Sequence, residues 1–171
     1  MNSKPSPEQP TPTFGTHTFG ALNCARMELA VDANEVWPLL FDRAQWMPSF
    51  VGKERLDGPA DAVGERALYT SRDSSGQLHT RVDEIICLEP QRRLVFRLAL
   101  LDEDATTAFA DWRLVPTAAG CTLELSVFWL DLPEPGMNWT DVQTLRQSYV
   151  TATQTVIEGH LEGIRDAIAK Y

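Results

Sequence analysis

Basic residues are scarce in this sequence. Fifteen Lys and Arg stand against 24 Asp and Glu, a net charge of −9 with a pI near 4.7. Such a chain lacks the cationic surface that displaces counterions from nucleic acid, and it lacks a polybasic membrane anchor. Cysteine is rare too: three residues cannot all pair, which excludes a disulfide scaffold. No apolar run approaches the ~20 residues needed to span a bilayer. The opening MNSKPSPEQPTPTFG has no apolar core of a secretory signal. Together these absences give the expectation of a soluble cytoplasmic protein with no nucleic-acid partner and no membrane span. Motifs with built-in chemistry are missing as well. The glycines form no phosphate-cradling loop, there is no GxSxG elbow, and Cys24, Cys87 and Cys121 include no CxxC pair. His17, His79 and His160 lack metal-ligand spacing, so no metal and no cofactor is expected.

What is present fits one domain and an appendage: 171 residues, 43% of them hydrophobic. Residues 1–20 hold Pro5, Pro7, Pro10 and Pro12 among Ser and Thr, and are expected to form a flexible tail ahead of a domain over 21–171. Leu22, Cys24, Met27, Leu29 and Val31 then alternate as in a strand. Asp32 or Asn34 caps a short helix through Trp37 and Leu40, and a second short helix is expected over Asp42–Trp46, ending at Pro48. Segments 50–56, 63–71, 78–88, 93–101, 109–115 and 121–130 have strand character and are separated by turn residues, the pattern of an antiparallel meander.

The chain closes with an amphipathic helix of about 30 residues, about 45 Å long. Thr140 and Gln143 have the form of a capping box. Val142, Leu145, Tyr149, Ala152, Val156, His160, Ile164 and Ala167 recur at spacings of three and four, with Glu158, Glu162, Arg165 and Asp166 opposite. One helix cannot fill the hollow of a curved seven-stranded sheet, so a cavity between them is expected.

Several local stretches, in this order, resemble the START/Bet v 1-like (SRPBCC) superfamily, which includes polyketide cyclase/dehydrase-like proteins. They are Val31-Asp32-Ala33-Asn34-Glu35-Val36-Trp37, Trp46, Asp57-Gly58 with Val63-Gly64-Glu65, Glu89-Pro90 leading to Leu94-Val95-Phe96, and Trp112-Arg113-Leu114-Val115-Pro116 with Gly120-Cys121-Thr122-Leu123. The resemblance spans about residues 22–169. It implies an α+β helix-grip fold: a seven-stranded curved antiparallel sheet, two short helices, and a long C-terminal helix over an internal cavity.

Candidate site residues follow from that arrangement. His160 lies within the apolar stripe of the last helix, where a polar ring needs a partner or a wet cavity. It is either a ligand-facing or acid/base group or a core histidine with a satisfied ring. Trp37, Trp46, Tyr69, Trp112, Trp129 and Tyr149, with Phe128, are aromatic candidates for the lining, joined by Val156 and Ile164. The expected concave faces carry Trp112 and Leu114 on one strand, and Leu123, Leu125, Val127 and Trp129 on another. Asp83 and Asp111 are expected to point outward, pairing with Arg81, Arg97 and Arg113 on the convex face. Glu65 and Arg66 are placed at the rim, and all three cysteines are read as small buried hydrophobes.

Three functions remain open at this level. The first is binding of a hydrophobic or aromatic small molecule, lipid- or polyketide-like. The second is a cyclase/dehydratase-type enzyme using His160 as acid/base. The third is a protein-interaction module like the Hsp90 activators of the same superfamily. A monomer or a homodimer is compatible with each of them.

Overall fold

A computed structural model describes residues 19–100, 107–131 and 137–170. Residues 1–18 of the tail expected over 1–20, with His17, and the acidic turn at 102–104 lie outside the described residues, while Phe19 and Gly20 open the first strand. Strand β1 covers Phe19–Leu29, followed by helix α1 (Ala33–Val36), which continues as a 3-10 turn over Trp37–Leu40. A second 3-10 helix covers Arg43–Gln45. Six strands follow: β2 (Phe50–Asp57), β3 (Arg66–Arg72), β4 (Leu78–Glu89), β5 (Arg93–Leu100), β6 (Thr107–Thr117) and β7 (Gly120–Asp131). Helix α2 (Trp139–Ile168) ends the fold. The strands form one antiparallel sheet in the order β1-β7-β6-β5-β4-β3-β2. The meander is therefore unbroken except that β1 crosses to pair with β7, leaving β1 and β2 as the edges.

Local chemistry sets the ends of these elements. Asp32 starts α1, and the Glu35 carboxylate accepts the Asp32 backbone N–H at 3.3 Å. Pro38 sits in the first turn of the 3-10 segment, where its missing N–H costs nothing. The expected Thr140–Gln143 capping box at the start of α2 does not form. Asn138 caps the helix instead, its side chain accepting from the Asp141 N–H at 3.1 Å, because Asn holds the extended backbone a cap requires.

The core lies between the concave face and α2. Leu94, Phe96 and Leu98 of β5, Ala108, Trp112 and Leu114 of β6, and Leu123, Leu125 and Val127 of β7 point into it, as period-two alternation requires. From α2 come Ile157, Leu161, Ile164 and Ala167. The inward face of β1 is Asn23, Ala25, Met27 and Leu29, opposite in phase to the reading that turned Leu22 and Cys24 inward. Leu22 is 60% exposed and Cys24 is also exposed, so Cys24 is not a buried hydrophobe. Met27 and Leu29 set the phase of this strand, and a period of two then forces Leu22 and Cys24 outward. Asn23 instead ties β1 to α2, donating to the Val150 carbonyl at 2.8 Å and to Gln154 at 3.1 Å. Cys121 is buried and five register positions from Cys24's partner, so no disulfide joins them.

The convex face carries the expected ion pairs in part. Arg93 and Arg113 both bind Asp111, at 2.9 and 2.8 Å, and Arg97 pairs with Glu84. Burial opposes ionisation of Asp111, but the hydrogen bonds from the two arginines outweigh it and hold the carboxyl below its usual range. Glu65 is not at a rim: it is buried and pairs with Lys53 at 2.7 Å, while Arg66 pairs with Asp57 in the open. The loop between β2 and β3 folds back and carries Glu65 beneath Lys53, a contact that strand spacing does not encode.

The seat of α2 is a close approach at Gly163. A methyl group added there would collide with the Trp46 carbonyl oxygen. Gly159, one turn earlier, faces open space. Gly159→Ala is therefore expected to be neutral or to stabilise by up to about 1 kcal/mol through helix propensity. Gly163→Ala is expected to cost about 1–3 kcal/mol as the helix is pushed off Trp46. Urea unfolding of the two variants checks the contrast; equal midpoints would refute the close approach.

Candidate functional site

A cavity of about 350 Å³ lies between the concave face and the middle of α2. On β6 the small Ala110 forms part of its wall, leaving room that a larger side chain would fill. Trp112, Leu125, Val127 and Trp129 build the sheet side. Tyr149, Ala152, Thr153, Val156, Ile157 and His160 build the helix side. Trp46 and Met47 close one end.

Two of the three lining tryptophans present ring surface because their polar tips are already bonded. Trp46 Nε1 donates to the Leu39 carbonyl at 2.6 Å, and Trp129 Nε1 donates to Thr153 Oγ1 at 2.7 Å. Trp129 and Tyr149 stack at 6.0 Å with 26° between planes. His160 stands edge-on to Trp46 at 5.2 Å and nearly parallel to Trp112 at 6.4 Å. Its ring nitrogens have no hydrogen-bond partner among the described residues, unlike a core histidine satisfied by a strand group. Burial lowers its pKa to about 3, helped by the positive charges of Arg81 and Arg43, so the ring is neutral.

The polar end of the cavity was missed by sequence reasoning. Arg43, from the second short helix, and Arg81, from β4, both line it. They flank Asp83, which is 2% exposed: Arg81 Nε donates to Oδ1 at 2.8 Å, and Arg43 Nη1 lies 2.7 Å from Oδ2. The Arg43 guanidinium also covers the Tyr69 ring at 3.9 Å. The expectation that Arg81 and Asp83 point outward is thus wrong. Ile85 is buried and sets the phase of the inward face, Arg81-Asp83-Ile85, while a bulge at Ile86 shifts the pairing with β5 beyond it. Asp83 alternates with apolar neighbours, and its charge alone suggests the outward side.

Of the nine candidate lining residues, Trp46, Trp112, Trp129, Tyr149, Val156 and His160 meet around the cavity. Val156 is 52% exposed, so it stands at the mouth and not in the core stripe. Trp37, Tyr69 and Ile164 do not reach the cavity. Trp37 packs edge-on against Phe41 at 5.5 Å, Tyr69 lies beneath Arg43, and Ile164 is fully buried under α2. Phe128 faces the convex side, directly across from Leu22. Thr153 is buried where Ala152 and Val156 were expected, because the inward line of α2 runs through Thr153, Ile157, Leu161 and Ile164.

Neither a family model nor a curated protein matches this sequence. Solved structures do match in shape. A Staphylococcus aureus protein of unknown function superposes with a TM-score of 0.71 at 9% identity, over 90% of this chain and 96% of that one. The di-domain ARO/CYC StfQ of the steffimycin biosynthetic pathway gives 0.71 at 14% identity, over 88% of this chain. This chain spans about half of that protein, 51% of its length. Ara h 8.0201 gives 0.60 at 12% identity, over 92% of this chain and 100% of that one. The chain has the Bet v 1-like helix-grip fold. At these identities the likeness is one of fold, and the helix-grip fold accommodates unrelated chemistries at its cavity. Among the described residues, no group of three or more His, Cys, Asp or Glu is placed to hold a metal ion, and no helix is long and apolar enough to cross a membrane.

Neutral burial of His160 has a measurable consequence. Unfolded, it titrates near 6.5; folded, it does so at about 3. Between these values the unfolded chain binds the extra proton. The stability involved is therefore complete above about 6.5 and falls as pH drops toward 3. Urea midpoints measured at about pH 7 and about pH 5 should fall further for the native chain than for His160→Phe. Equal falls would contradict the neutral buried ring.

Proposed function

We propose that this protein binds an apolar or aromatic small molecule in the cavity of the helix-grip domain. The observation that carries this reading is the wall itself: Trp46, Trp112, Trp129 and Tyr149 around an enclosed volume of about 350 Å³. That size is at the small end of the ~300–1,000 Å³ typical of ligand pockets. Apolar burial at about 25 cal/mol per Å² would supply most of the affinity. Ring faces at several angles suit a flat, unsaturated body, and His160 would orient it as a neutral hydrogen-bonding group. The same neutrality weighs against the cyclase/dehydratase alternative, because a group that holds a proton only below about pH 3 is a poor acid/base at ordinary pH. Val156 marks the entrance, and so exposed a residue in the wall supports access without unfolding of α2.

Native mass spectrometry of the purified protein tests the proposal, with a stoichiometric apolar compound as the expected result. Ala110→Phe fills the hollow from the sheet side. It should weaken binding of that compound by roughly tenfold or more while the circular dichroism spectrum is retained. Unchanged affinity in that variant would place the compound elsewhere and overturn the reading.

A further inference from the structure

We propose that the cavity selects a monoanion: an apolar or aromatic body bearing one carboxylate, which sits on the Arg81 guanidinium beside the charge of Arg43. The proposal rests on the ligand-binding reading above and adds to it the charge of the ligand.

The residues around the cavity include two guanidiniums and no Asp or Glu. Asp83 lies behind the arginines, and one carboxylate balances one of the two cations. Arginine does not deprotonate in proteins, so the surplus positive charge persists at any working pH. Arg81 is partly open on the cavity side, while Arg43 is poorly hydrated, at 5% exposed. The rings of Tyr69 and Phe96, at 3.9 and 5.0 Å from its guanidinium carbon, cushion the charge but accept no ordinary hydrogen bond.

Hydrogen-bond demand points the same way. Arg81 directs Nε, and weakly Nη2 at 3.5 Å, to Asp83, which leaves its Nη1 donors without a protein acceptor among the described residues. Arg43 Nη1 is close to Asp83 at 2.7 Å, yet its N–H bonds are not aimed at the carboxylate, so this buried nitrogen makes an ion pair without a directed hydrogen bond. A carboxylate from the cavity side would meet the open Arg81 donors, since planar guanidinium donors match its two oxygens, while the Arg43 charge held against Asp83 adds to the attraction. The surplus of one charge favours a monoanion over a phosphate dianion. His160 senses the same field, its basicity lowered by burial and then by Arg81 and Arg43. A cationic interior in a chain of net charge −9 is not a sample of its general composition.

The test uses a matched pair, 2-naphthoate and 2-naphthamide, which share a ring system and nearly share a shape. Binding is followed by quenching of tryptophan fluorescence, since three tryptophans line the cavity. The expected result is that naphthoate binds roughly tenfold or more tighter than naphthamide. Arg81→Gln preserves the Arg43–Asp83 pair and removes the surplus charge. It should bring naphthoate to within about threefold of naphthamide, the two being compared on the same variant. If naphthamide binds the native chain as tightly as naphthoate, or the preference survives in Arg81→Gln, the cavity reading stands and the charge reading is overturned. If neither compound binds, both fall. The comparison on the native chain is decisive by itself should Arg81→Gln fail to fold.

Discussion

A single helix must cover the hollow of a seven-stranded sheet, and the place where it is allowed to touch down governs everything else. Helix α2 comes closest at Gly163, where the absence of a side chain lets its backbone lie against the Trp46 carbonyl. From that point Ile157, Leu161, Ile164 and Ala167 seal the C-terminal half of the helix against the sheet and the short helices. Toward its N-terminus the same helix is rich in Thr, Ser and Gln and buries few of its side chains. The sheet beneath offers Ala108 and Ala110 instead of large side chains. The hollow is a consequence of that seat: packing is dense where bulky residues face each other and open where small ones do.

Charge is segregated by the same geometry. The convex face carries arginines and carboxylates in pairs that water screens, as at Asp111 and Glu84. The concave face carries Arg43, Asp83 and Arg81, removed from water and held at one end of the cavity. Burying such a cluster costs several kcal/mol per ion before any attraction is regained. Hydrophobic residues of similar volume would stabilise the fold at least as well. A cation pair sharing one anion is therefore better explained by what it faces than by what it holds together.

Much of the architecture was legible in local patterns. Alternation along β6 and β7 identified Trp112, Leu114, Leu125, Val127 and Trp129 as inward-facing, and the three-four spacing in α2 identified a single amphipathic helix over the sheet. The candidate site was legible where it rested on those periods: Trp46, Trp112, Trp129, Tyr149, Val156 and His160 do meet. It failed where phase was ambiguous. Leu22 and Cys24 share a strand with Met27 and Leu29 in the opposite phase, and the charge of Arg81 and Asp83 suggested an outward face although they share the phase of buried Ile85. Arg43 carried no signal at all, since one arginine in a three-residue 3-10 helix has no period to betray its direction.

The amino-acid sequence by itself determined the order of elements, the antiparallel meander, the amphipathic closing helix and the acidic surface, because each follows from short-range alternation, turn chemistry and charge count. Only the tertiary structure decided which side chains share the cavity. That outcome depends on register, on a bulge, and on the depth at which α2 settles on Trp46, which are relations between residues far apart in the chain. The net charge of −9 describes the outside of the molecule. The sign of the inside was decided by three residues, Arg43, Arg81 and Asp83, that long-range folding brought together.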